Sequence, residues 1–166
     1  MADSDLTAND RALIERYCAG VALIDAALAG ASDAQLDRRD GDGWSARMVA
    51  HHMADSETNS YVRLRRLLAE EPPVEIAGYD EMRWSMTTQL GYADAPIANS
   101  LAVFRAVRAA SSDVLARLSP ADFERRGVHS ESGEYSVRDW LAIYAAHAEE
   151  HAAQIERARA NTRVGR

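Results

Sequence analysis

His147 and His151 stand four positions apart in the run WLAIYAAHAEEHAAQI. On a helix that spacing puts both imidazoles on one face, with Cβ atoms about 6 Å apart, close enough to share a metal ion. The residues between them are Ala148, Glu149 and Glu150. The zinc-protease pattern, which needs glutamate directly after the first histidine, is therefore absent. At about 100° per residue Glu149 points away from the pair and Glu150 lies at its edge, so neither is assigned as a base. Measured from His147, Trp140, Ile143, Tyr144, His151, Gln154 and Ile155 all fall within about 80°. Both histidines thus belong to the apolar, inward stripe of their helix.

His52 supplies a third imidazole. It follows Ser45 by 7 residues, and His147 and His151 follow Ser136 by 11 and 15. Each serine sits behind an aromatic residue, Trp44 or Tyr135, and ahead of a helical pattern. The offsets differ by fours, so the three histidines share nearly one angular phase. If the two aromatic-Ser caps orient their helices alike, the rings meet only when one helix is shifted by roughly 9 Å along the axis. Three neutral imidazoles would leave a divalent cation its full charge and an open position. Such a site can acidify water or a thiol, or polarise a carbonyl. Three core histidines hydrogen-bonded to backbone or water fit the same spacing. His51 lies about 100° off this phase and reads as a neighbour. His129, in the loop before the last helix, reads as structural or as a pocket rim.

Beyond His52 the same phase carries Asp55, Ser56, Asn59 and Arg63 rather than aliphatics. A polar row on an inward face predicts a wet pocket at one end of the fold. In it Asp55 would orient a histidine or act as a base, and Arg63 would hold an anionic substrate group. Asn59, Tyr144 and Gln154 would complete the substrate-binding wall. Trp44 and Trp140 read as packing residues.

Four long helices must position these groups. The first runs from about Thr7 to Ala29, with Leu13, Tyr17, Val21, Ile24 and Leu28 on one face. Cys18, among them, reads as a small core residue. Residues 31–43 are polar and Gly-rich and predict a loop. The second helix opens on Ser45 as N-cap and runs to about Glu70, before Pro72-Pro73. A long connection over 71–94 follows, with a short helix possible in YDEMRWSMTTQ. The third helix starts near Asp94 with Pro96 in its first turn and stops at Ser119-Pro120. The fourth runs from Ser136 to about Arg159, and Ser136-x-x-Asp139 nearly matches a capping box. No alternating strand pattern of useful length stands out. The expected fold is an all-α four-helix bundle, one domain over 1–166.

Composition agrees with this class and narrows the partners. The formal charge is -7, all 19 basic residues are arginine, and 47% of residues are apolar. An acidic chain has the wrong sign to track phosphates, so nucleic acid is not the expected partner. No apolar stretch reaches membrane-spanning length. The single cysteine and the absence of a secretory pattern in MADSDLTAND predict a cytoplasmic protein without disulfides.

DGWSARMVAHHMADSE together with YSVRDWLAIYAAHAEEHAAQI resembles the DinB/YfiT-like metalloenzyme superfamily. The stretch PIANSLAVFRAVRAASSDVLARLSPADFERRGVHSESGEYSV is similar to its third helix and following loop, and Tyr79–Glu81 to the YfiT branch. The resemblance covers most of residues 10–156. It implies a bundle in up-down-down-up order, with the long connection between the second and third helices. It also implies a metal, commonly zinc or nickel, on His52, His147 and His151, and a homodimer. The relatives it implies include transferases that join a low-molecular-weight thiol, bacillithiol or mycothiol, to electrophiles. They also include a thiol-dependent isomerase and proteins called metal-dependent hydrolases. The expected activity is therefore thiol S-transfer. The alternatives are a hydrolase in which the cation activates water, and a non-catalytic metal-binding stress protein.

Overall fold

The computed structural model describes residues 6–39, 41 and 43–161. Its element order is α1 (Ala8–Leu28), α2 (Asp33–Leu36), α3 (Ala46–Ala69), β1 (Glu75–Ile76), α4 (Glu81–Met86), α5 (Ala98–Leu115), β2 (Arg126–His129), β3 (Gly133–Ser136) and α6 (Val137–Ala160). The long helices start where their caps dictate. Thr7, Ser45 and Ser136 each accept a hydrogen bond from the backbone N–H three residues on, and at Ser136 the Asp139 side chain returns the bond. Each cap satisfies a donor that a helix N-terminus leaves unpaired, a contribution of about 1 kcal/mol.

Bonds between helices set their directions. Arg138 meets Asp10, Arg16 meets Glu149, and Arg159 meets the Ala27 carbonyl, so α1 and α6 climb together. His51 meets Ser100 and Glu57 meets Arg108, so α3 and α5 are also parallel. Trp140 Nε1 donates to the Ser60 carbonyl and His52 touches His147, so α3 and α6 are antiparallel. The bundle is therefore up-down-down-up, with residues 70–97 crossing back along its length between two parallel helices.

Two apolar clusters fill the interior. One joins Tyr17, Leu64, Leu67, Phe123, Val137 and Trp140. The other joins Ile24, Val49, Met53, Leu101, Phe104 and Ile155. Between them lies a buried polar belt. Arg108 and Glu57 are almost wholly enclosed and pair at 3.0 Å. The Arg108 guanidinium also donates to the carbonyls of Tyr17 (2.9 Å) and Tyr144 (2.8 Å). The Tyr17 hydroxyl donates to Glu57 Oε1. Gly20 makes room for this arginine, because a Cβ there would lie 2.0 Å from Arg108 Nη1.

Several expectations are corrected. The small sheet β1-β2-β3, parallel then antiparallel, was missed because its strands are two to four residues long. Residues 31–43 include α2, closed by a Ser32–Gln35 capping box. The α5 helix begins at Ala98 rather than near Asp94, and the Ala95 carbonyl is taken instead by Arg47 Nη1 and His51 Nε2. Cys18 is exposed, with its sulfur 3.4 Å from Ser112 Oγ. It lies one step, about 100°, past the inward Tyr17. Ile143 is 49% exposed. The buried face of α6 includes Ala145 and Ala148, the latter against Gly20 of α1, and His147 and His151 lie at its half-buried edge. Among the described residues no helix is long and apolar enough to cross a membrane.

Candidate metal centre

The antiparallel pairing of α3 and α6 brings the three histidines together. The aromatic-Ser caps lie at opposite ends of the bundle, not side by side. Ser45 is close to the C-terminus of α6, where Arg38 donates to the Arg159 carbonyl. Ser136 is near the C-terminus of α3, where Arg125 donates to the Leu67 carbonyl. Counted from opposite ends of these two 24-residue helices, His52 would fall level with Gln154, so its meeting with the His147–His151 turn takes an offset of about five residues, roughly 7–8 Å along the axis.

One ligand atom from each of the three rings lies within 4.8 Å of the other two. His52 Nε2 and His147 Nε2 are 3.1 Å apart. Two nitrogens bound tetrahedrally at 2.0–2.1 Å to one ion stand about 3.3 Å apart, so the pair needs only a slight opening to fit. The His151 Nδ1 lies 2.8 Å from Gln154 Oε1. If Nδ1–H donates to this amide oxygen, the Nε2 lone pair is free for a cation. The Nδ1 atoms of His52 and His147 are buried without partners. Nitrogen donors clustered in this way, with Nδ1 unpartnered in two of the three rings, suit a cation better than a self-sufficient set of core histidines.

Burial favours the neutral imidazoles that a metal requires. It pushes the His52 pKa down to about 3, with the neighbouring His151 adding to the effect. Burial, then His151 and His52, holds His147 well below its usual value, and burial also lowers His151. The Trp44 indole packs on the His52 ring at 4.8 Å, and the Tyr144 ring stands edge-on to His147 at 5.9 Å. Trp44 therefore walls the site as well as packing the core.

The remaining candidates divide. Asp55 Oδ2 accepts from the Tyr92 hydroxyl at 2.7 Å, and Asp55 is not part of the histidine cluster. Asn59 Nδ2 turns back onto the Asp55 carbonyl. Arg63 donates to the Tyr144 hydroxyl at 2.9 Å and to the Ala77 carbonyl at 2.8 Å. Asp55, Asn59 and Arg63 line one cavity of about 380 Å³, which also has Trp84 in its wall. Neither Gln154, bonded to His151, nor Tyr144, which reaches Arg63 from behind, lines this cavity, contrary to their expected place in a substrate wall. His51 is held by Ser100 and the Ala95 carbonyl and takes no part in the cluster. His129 is buried against Tyr135 and its Nδ1 accepts from the Glu131 backbone. Sequence reasoning missed Tyr92, and also Arg108 and Glu57 in the belt beneath. Tyr92 lies in a connection without periodicity, and a lone arginine or glutamate on a helix ordinarily reads as surface.

The profile of the DinB superfamily matches residues 20–155. The chain belongs to the DinB superfamily. A DinB relative from Oceanobacillus iheyensis is 42% identical over 113 residues, which is 68% of this chain and 63% of the relative. The chain thus spans slightly less than two thirds of that protein. YfiT of Bacillus subtilis is 37% identical over 127 residues, covering 75% of this chain and 69% of YfiT. Both carry names that propose a metal-dependent hydrolase. The solved structure of YfiT superposes with a TM-score of 0.82 at 29% identity, over 93% of this chain and 89% of YfiT. It is described as having an unusual four-helix bundle topology, and the DinB chain here shares its fold.

Proposed function

We propose that this chain is a metal-dependent enzyme in which His52, His147 and His151 hold a divalent cation, zinc or nickel. The convergence of three neutral imidazoles carries the reading. A cation so held supplies a Lewis acid that lowers the pKa of a thiol or a water or polarises a carbonyl. Gln154 fixes the His151 tautomer, and Trp44 shields the His52 ring from water. Asp55, three residues after His52 on α3 and held in place by Tyr92, is the candidate acid-base group. Arg63, Asn59 and Tyr144 bind and orient a small-molecule substrate.

The reaction proposed is transfer of a low-molecular-weight thiol, bacillithiol or mycothiol, to an electrophile. A tripod of neutral nitrogen donors neutralises none of the cation's charge, which suits stabilisation of a thiolate. Among the described residues no carboxylate joins the cluster. Hydrolysis is the second reading, favoured by the names of the relatives. The proposal includes a cytoplasmic homodimer, which sedimentation of the purified protein tests.

The deciding experiment compares metal-loaded and chelator-treated protein with thiol plus electrophile, and with ester and amide substrates without thiol. Metal-dependent conjugation supports S-transfer. Metal-dependent turnover without thiol supports hydrolysis. Turnover that ignores the metal, or a metal content unchanged in His151→Ala, overturns the metal reading. A protein that binds metal through the three histidines yet turns over no substrate would be a non-catalytic metal-binding protein.

A further inference from the structure

Next to the histidines is a group of donors that lack acceptors. The Arg63 guanidinium bonds only to neutral oxygens, those of the Tyr144 hydroxyl and the Ala77 carbonyl, and its buried Nε has no partner. Among the described residues Arg63 forms no ion pair. Tyr135, on β3, is 4% exposed, and its hydroxyl is buried without a partner. The Tyr79 hydroxyl is also buried; Ser56 approaches it as a donor, and among the described residues its own O–H is given to no acceptor. Both phenols lie within electrostatic range of Tyr144, and Tyr135 also within that of Arg63. Tyr144 accepts from Arg63, while its own O–H is given to no acceptor.

These groups come from different elements: α3, the connection, β3 and α6. They are also close to the tripod, since Tyr144 precedes His147 by one turn of α6. The charged groups facing Arg63 are Glu81 and His129, with Glu131 next to them, and neither carboxylate accepts from these donors. Buried donors without acceptors are costly unless something supplies acceptors. Water brings as many donors as acceptors. An ionised carboxylate brings acceptors alone and the one negative charge that Arg63 lacks. The cavity of about 380 Å³ reaches Arg63 from outside, past Val62, Ile76 and Trp84, and the Trp84 ring packs on Tyr79 at 4.6 Å.

We propose that Arg63, Tyr79, Tyr135 and Tyr144 form a recognition site for a substrate carboxylate, whose apolar body lies in the cavity walled by Val62, Ile76 and Trp84. This names the substrate class for the site proposed above and rests on that reading only for the link to turnover.

The test is an NMR titration of the full chain, metal-loaded and chelator-treated, with butyrate, its neutral isostere butyramide, and inorganic phosphate. The expected result is saturable butyrate binding in both forms, with butyramide and phosphate at least tenfold weaker. Tyr79→Phe and Tyr135→Phe should each weaken butyrate about threefold to tenfold, and Arg63→Gln more than tenfold. Tyr135→Phe should leave the unliganded melting temperature unchanged or raised, because the hydroxyl it removes is unpartnered. Equal binding of butyramide overturns the proposal, as does phosphate binding as tightly as butyrate. A Tyr135→Phe variant that loses stability but keeps its butyrate affinity also overturns it, since the hydroxyl would then serve a buried water. Butyrate binding that survives in His151→Ala separates this site from the metal reading, so either can fail alone.

Discussion

Replacing Arg108 by alanine tests the buried belt that underlies the proposed site. The side chain is 1% exposed and its partner Glu57 is 0% exposed. The substitution removes two contacts to Glu57 Oε2, at 3.1 Å from Nε and 3.0 Å from Nη2. The carbonyls of Tyr17 and Tyr144 each lose an acceptor role but lie within helices, where the backbone ladder still serves them. Glu57 has no such reserve and keeps only the Tyr17 hydroxyl. Stranding a buried charge costs about 3–5 kcal/mol. In a chain of this size the melting temperature should fall by roughly 6–20 °C. Replacing the whole unit, Arg108→Met with Glu57→Leu and Tyr17→Phe, should recover most of that loss, because no charge or hydroxyl is then left unpaired. Chemical denaturation monitored by circular dichroism measures both variants. A loss below about 1 kcal/mol in Arg108→Ala, or no recovery in the triple variant, would refute the reasoning.

Three further outcomes follow from named contacts. Gln154→Ala removes the acceptor of His151 Nδ1 and, on the proposed metal reading, should weaken metal affinity about 10- to 100-fold in a chelator competition, with little change in fold. Gly20→Ala should destabilise by about 2–3 kcal/mol on urea denaturation, because its Cβ would lie 2.0 Å from a pinned Arg108 nitrogen and 2.7 Å from Ala148 Cβ. The metal-free protein should lose stability as the pH falls below about 6.5, the ordinary histidine value. Below it the unfolded chain takes up protons that the buried rings refuse. His52, with its pKa down at about 3, then contributes a slope of about 1.4 kcal/mol per pH unit between those limits, and His147 acts in the same direction. A denaturation midpoint that stays flat from pH 7 to 5 would contradict this.

The four long helices and the faces they bury are written locally along the chain. Thr7, Ser45 and Ser136 mark helix starts because a cap is a bond between residues three apart, and such local chemistry is written along the chain. The common phase of His52, His147 and His151 was legible for the same reason: rotation per residue is a property of one helix alone. What each face meets is not local. Periodicity says that α3 and α6 both turn histidines inward, but not that they run antiparallel, so the direction of the offset that lets the rings meet was not legible from one helix at a time. Arg108 and Glu57 are 51 positions apart, and only packing reveals that each is the other's reason for being buried. Tyr79, Tyr92 and Tyr135 come to the site on segments without helical period, carried there by a connection and a short sheet. Tertiary structure decided these placements, because the free energy of a buried polar group depends on partners that approach from elsewhere in the chain.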